Sequence, residues 1–251
     1  QKSLRGKYMA LMSDSLEKFG KGVWGRQKGA AHDKNIVREI LGQETGDVDA
    51  KAFAESFSKV NRIAVDDRNL AGGSLAHLDN HMPQAQSAVK VSGVAFEKWR
   101  DDHMEWLDWD KMRWPSGDKI KPAEREGLLQ NIYETLKTDG AAKIDPAKMK
   151  GMGSSVGNQL DRHRFLVYKD AEAWISQHEA YGEGSVFDVM YNHVEKMSND
   201  TALVQMFGPN PELAAQNIRA IVRKRASDIA KTAKPNSMDA QAVAHADAEL
   251  K

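Results

Sequence analysis

Two histidines at helical spacing are the first residues in this sequence that could do chemistry. His77 and His81 lie four positions apart, and on a helix that spacing places two imidazoles where one zinc ion can reach both. The zinc-protease pattern also needs a glutamate directly after the first histidine, and Leu78 occupies that position. Pro83 limits any helix at this point. The sequence therefore predicts no metal site here.

Carboxylates offer a second kind of chemistry, because paired acids can act as general acid and base. Acidic residues crowd the segment 101–110, but they share one helix with a tryptophan face and no second element supplies a partner. A lone glutamate, Glu183 or Glu195, remains available as the acid of a peptidoglycan-cleaving enzyme. That enzyme is the alternative hypothesis, and the prediction is a protein without catalytic residues.

Glycine-rich segments could bind phosphate, and they carry several basic residues. The segment 151–157 has three glycines but lacks the Gly-Lys-Ser/Thr ending of a P-loop, and no apolar strand precedes it. We therefore predict no cofactor. A third hypothesis is contact with DNA or a partner protein through basic residues in two such segments: Lys21, Arg26, Lys28, Lys143, Lys148 and Lys150.

Composition narrows the possible functions. The 36 basic residues balance the 36 acidic residues, so no overall charge draws the chain to nucleic acid or to anionic lipid. The absence of cysteine excludes disulfides, cysteine-ligated metals and cysteine nucleophiles. A soluble globular protein is the class that this composition favours.

Apolar spacing predicts the elements that would position these residues, and it predicts helices throughout. Residues at intervals of three and four indicate helices at 3–19, 48–70 and 122–140, among about nine helical segments in all. The expected fold class is all-α, elongated or dependent on assembly, with long loops. We expect an N-terminal helix and connector at 1–31, a helical module at 32–234, and a C-terminal helix from 235 that continues into a longer parent chain.

Large apolar residues on these helices are candidates for helix packing or for contact between copies of the chain. Trp99, His103 and Trp106 share one helix face, and Trp109 and Arg113 are expected to continue the same helix on an adjacent face. The predicted packing or oligomer contacts are Trp106, Trp109, Trp174, Phe187 and Ile218.

The region 161–211 has the densest helix start and stop signals. Asp170 is a predicted N-cap, and Ser185 with Asp188 forms a capping-box pattern. Glycines at 182–184 and Gly208 are expected to end helices, and Pro211 to begin one. His193 lies on an apolar stripe, which indicates a buried histidine rather than a ligand.

This region and the segments before it resemble a family of very large bacteriophage proteins, the internal virion or DNA-ejection proteins of podophages, also grouped as "large polyvalent" proteins. The matching segments appear in the order of the family at 32–47, 68–73, 81–86, 106–110, 131–140, 161–174 and 181–211. The segment 82–87 departs from the pattern, which has His and Asp after Pro-Gln, so no role of that pair is carried over.

The resemblance implies a structural protein inside the capsid near the portal. It would be expelled into the host envelope and periplasm, where copies and other ejection proteins form a conduit for the genome, in possible contact with DNA. Relatives can carry lytic transglycosylase or polymerase domains, and this sequence has a motif for neither. The resemblance therefore implies a module without catalysis of its own.

Overall fold

The computed structural model describes residues 2–23, 30–73, 75, 77–114, 117–138, 166–209 and 211–232. These ranges contain nine helices and no β-strand, so the all-α prediction is confirmed for them. The helices are α1 (Lys2–Val23), α2 (Ala30–Ile40), α3 (Val48–Leu70), α4 (Ala88–Ser92), α5 (Phe96–Trp106), α6 (Pro122–Lys137), α7 (Ala171–Tyr181), α8 (Val186–Phe207) and α9 (Pro211–Thr232).

Helix α3 is the element against which α1, α2 and α8 pack. It begins where the Asp47 carboxylate accepts a hydrogen bond from the backbone N–H of Ala50 at 3.1 Å. The residues that repeat every three or four positions along it are buried, as their spacing predicts: Phe53, Phe57, Val60 and Ala64. Burying each large side chain contributes roughly 2 kcal/mol, which makes this stripe a main source of stability.

Helix α1 belongs to the same core. Tyr8 is fully buried and Met12 nearly so, and both join the cluster that holds the α3 stripe. The Tyr8 hydroxyl donates to the Asp67 carboxylate at 3.1 Å, and Lys7 donates to the same carboxylate at 2.6 Å. The first helix therefore packs with the helical module that was expected to begin at residue 32.

The starts and ends predicted for the 170–211 region are confirmed. The Asp170 carboxylate accepts from the N–H of Ala173 at 2.8 Å and begins α7. Ser185 and Asp188 form a reciprocal capping box at the start of α8, with the Ser185 N–H donating to the Asp188 carboxylate at 2.7 Å. Gly208, with φ of 80°, ends α8 in a conformation that favours glycine.

Replacement of Ser185 by alanine should lower the free energy of unfolding by about 1 kcal/mol, because it removes half of the capping box. Urea denaturation of the purified protein measures this change. Ser56→Ala is the control, since the Ser56 hydroxyl bonds within the exposed middle of α3, and it should change stability by less than about 0.5 kcal/mol. Equal effects of the two substitutions would contradict the capping role.

Helix α5 is shorter than predicted. It ends at Trp106, so the expectation that Trp109 and Arg113 continue this helix is wrong. The physical reason is tertiary pairing: the N–H of Asp108 donates to Val167 at 2.8 Å, and the N–H of Lys169 donates to Trp106 at 3.0 Å. These hydrogen bonds to the chain that precedes α7 replace the bonds that another helical turn would have made.

The segment from residue 77 to 87 is not helical. His77 lies beside Asp66, with 3.0 Å between Nε2 and the carboxylate. Further along, the N–H of Ser87 donates to Tyr181 at 2.8 Å, and Gln86 pairs with Gly182 in an isolated antiparallel bridge. The segment thus runs from α3 to α4 past the end of α7 without forming a helix, and His77 and His81 do not share a helix face.

Candidate functional site

Two of the predicted contact tryptophans pack within the chain around the end of α5. The Trp106 ring lies 5.7 Å from the His103 ring, centroid to centroid. The Trp109 ring has the Arg125 guanidinium 4.8 Å from its centroid, and its Nε1 donates to the Met104 carbonyl at 3.2 Å. Both tryptophans are therefore partly buried against the protein's own residues.

Trp174 and Phe187 also pack internally. Trp174 is 2% exposed, and its indole stacks on the His178 ring at 4.9 Å. Phe187 contacts Phe53 edge to face at 5.4 Å and so joins α8 to α3. Ile218 differs from all of these, because it lies on α9 and is 49% exposed.

The predicted basic contacts lie outside the described residues. This applies to the side chain of Lys21 and to Arg26, Lys28, Lys143, Lys148 and Lys150. The hypothesis that these residues touch DNA or a partner therefore stays a prediction.

The glutamates proposed for the alternative enzyme have ordinary surroundings. Glu195 forms an ion pair with Arg5 at 3.1 Å, and Glu183 is exposed in the turn between α7 and α8. His193 is buried, with its Nε2 3.1 Å from the Asn61 side-chain oxygen, which confirms that it is a core residue. In the ranges that the structure covers, no group of three or more His, Cys, Asp or Glu residues is placed to hold a metal ion.

A buried polar group in the core escaped sequence reasoning. We name it the His103 cluster; its members are Trp99, His103, Tyr168 and Tyr181. The His103 ring stacks on Trp99 with 3.8 Å between centroids and lies 5.6 Å from Tyr181. The Tyr181 hydroxyl donates to the Asp102 carboxylate at 2.6 Å. Gln177 precedes Tyr181 by one turn on α7 and is fully buried.

Burial controls the protonation of the His103 cluster. It lowers the pKa of His103 to about 4, an effect that the hydrogen bond to the Trp99 carbonyl and the nearby Asp102 only partly offset. It also raises the pKa of Tyr168 well above the usual value. Both groups are therefore neutral at pH 7, and the cluster is a polar part of the core rather than an acid–base site open to substrate.

Several exposed apolar side chains lie on the last two described helices. We name this set the assembly face; its residues are Leu203, Met206 and Phe207 of α8 and Ile218, Ile221, Val222 and Ile229 of α9. Met206 is 74% exposed and Ile221 is 63% exposed. In α9 these apolar residues recur at helical spacing, so they form one stripe, which Arg225 interrupts. Exposed apolar side chains that form a stripe on one helix mark an interaction site more often than single scattered ones do.

Charge flanks the apolar stripe of α9. This helix has five basic and two acidic residues, and helical geometry places Arg219 and Lys224 on opposite sides of the stripe. An acidic stripe lies on α5, where Glu97, Asp101 and Glu105 are exposed at intervals of four residues and Asp101 is paired with Arg100 at 2.8 Å. Helix α9 therefore has an apolar stripe with basic residues on both sides, and α5 has an acidic stripe.

Comparison with known proteins gives no match: no family model, no curated protein and no solved structure is similar to this chain. Across the described ranges, no helix combines the length with the apolar character that a bilayer-spanning segment requires.

Proposed function

We propose that this chain is a structural module of a podophage internal virion protein, packaged in the capsid and released into the host envelope to help form the genome-delivery conduit. The observation that carries the proposal is the assembly face, an amphipathic helix whose apolar side faces solvent. The ordered resemblance over residues 30–211 supplies the setting in which such a face would be covered.

The dimensions of α9 suit this role. Its 22 residues extend for about 33 Å, which is long enough to form one side of a stable protein interface. Each exposed isoleucine that becomes buried contributes roughly 1–2 kcal/mol to association. Because several such residues lie on one stripe, their burial by a partner works together against the entropy cost of association.

The occupant that we propose for the assembly face is a second copy of this chain. The basic flanks of α9 in one copy would meet the acidic stripe of α5 in the next. Because the two surfaces differ, the contact is head to tail, and repetition of a head-to-tail contact closes into a ring when the rotation between copies allows it. A ring of helical modules is the geometry that a conduit needs.

Mass spectrometry and cryo-electron microscopy of purified phage particles test the proposed function. We expect peptides of this chain in particles that have been treated with protease on the outside, together with density for several copies near the portal. After infection, the same peptides should move to the envelope fraction of the host. Particles that lack these peptides and this density would overturn the proposal.

A further inference from the structure

A small pocket lies between α2, α7 and the first turn of α8, away from the assembly face. It has a volume of about 160 Å³, which is comparable to the protein cavities that hold a single benzene molecule. Its walls include Val37, Trp174, Ile175 and Val186, and Asp33 and His178 also line it. The pocket therefore has room for one side chain of medium length, but not for a nucleotide or a sugar chain.

The apolar walls of this pocket belong to the buried core. Val37 is fully buried, and Ile175 and Val186 are nearly so. Trp174 is held flat against His178, with an angle of 19° between the rings. Such walls favour a hydrocarbon stem, and an indole ring also attracts a cation that lies over its face.

Asp33 gives the pocket an unbalanced negative charge. Within the part of the chain that the structure describes, its carboxylate makes no hydrogen bond and no ion pair. Burial raises the pKa of this carboxyl, and His32 partly offsets the effect. A half-buried carboxylate without a partner is costly, so an added cation would be stabilised here.

The two basic side chains that line the pocket do not fill this role. Lys34 lies at the rim, but its Nζ is paired with Glu179 at 2.6 Å. Burial, together with the charge of Lys90, lowers the pKa of His178, so its ring is neutral at pH 7.

We propose that this pocket binds the side chain of a lysine or arginine residue, with the aliphatic stem between Val37, Trp174 and Ile175 and the cationic head on Asp33. The ligand class is a cation on a short apolar stem, and its two sources are a basic segment of a partner protein and a free alkylamine.

Titration of the purified full chain with three probes tests the proposal, with binding followed by NMR of the tryptophan indole N–H signals. The probes are Nα-acetyl-lysine amide, its uncharged counterpart Nα-acetyl-norleucine amide, and n-butylamine. We expect the lysine amide to bind at least tenfold more tightly than the norleucine amide. Tighter binding of the lysine amide than of n-butylamine assigns the site to a protein side chain, and the reverse order assigns it to a free amine.

Asp33→Asn should weaken binding of the lysine amide at least tenfold. The matched control is Asp49→Asn, the same substitution in the first turn of α3, outside the pocket, and it should leave the affinity within twofold. Thermal unfolding of both variants shows whether each has kept its fold. Equal binding of the charged and uncharged probes, or an Asp33→Asn variant that binds as the wild type does, would overturn the proposal.

Discussion

Replacement of Trp99 by alanine should lower the free energy of unfolding by about 4 kcal/mol. Trp99 is fully buried, stacks on His103 at 3.8 Å and lies 5.7 Å from the Tyr133 ring. The substitution removes these contacts and leaves a cavity in a core that several helices enclose, so the surroundings cannot collapse to fill it. Urea denaturation at neutral pH, analysed for midpoint and slope, measures the loss.

Val89→Ala is the matched control for Trp99→Ala. Val89 lies on α4 and is 80% exposed, so its truncation should change the free energy of unfolding by less than about 0.5 kcal/mol. A loss below about 1 kcal/mol for Trp99→Ala would show that this side chain is not part of a packed core.

The second large effect is a loss of stability in acid that depends on His103. An unfolded histidine takes up a proton near pH 6.5, whereas burial in the folded protein lowers the pKa of His103 to about 4. Below pH 6.5 the unfolded chain therefore takes up a proton that the folded protein does not, and the free energy of unfolding falls as the pH is lowered from 6.5 towards 4. This loss is on the order of 3 kcal/mol.

His103→Phe isolates this contribution, because phenylalanine keeps a flat ring against Trp99 but cannot be protonated. Urea denaturation at several pH values should give a smaller slope of stability against pH for this variant between pH 6.5 and 4. His77→Phe, at a surface position whose side chain is 46% exposed, is the control and should keep the slope of the wild type. If His103→Phe lost stability with falling pH as steeply as the wild type, burial of a neutral His103 would not be the cause.

Helix positions could be predicted from local signals where those signals were strong. Val48–Leu70 has an aspartate cap and a regular apolar stripe, and its bounds match the prediction. The start of α8 was predictable because Ser185 and Asp188 cap it through their own side chains. These features depend on residues three or four positions apart, which a sequence shows directly.

The end of α5 could not be predicted because a distant segment determines it. The residues at 107–113 continue a helical pattern, but hydrogen bonds to Val167 and Lys169 draw the backbone away from the helix. The short helix Ala88–Ser92 was missed for another reason, since five residues are too few to show a periodicity. Both errors arise where tertiary contacts outweigh local preference.

Functional features were harder to predict than helices. The His103 cluster brings together residues from α5, α7 and the segment before α7, and Gln177 gave no sign in the sequence that it is buried. Similarly, Asp33 and Trp174 are far apart in the chain and meet only because α2 packs on α7. The apolar stripe of α9 was visible in the sequence, but its exposure required the structure.

Sedimentation velocity of the purified chain at micromolar concentration is the most direct test of the assembly claim. The account predicts concentration-dependent oligomers that Ile221→Asp dissociates, while Val48→Asp, at an exposed valine on α3, leaves them unchanged. Arg219→Glu with Lys224→Glu should weaken assembly at least tenfold, and addition of Glu97→Lys with Glu105→Lys to the same chain should restore it. A wild-type chain that remains monomeric, or oligomers that persist with Ile221→Asp, would contradict the account.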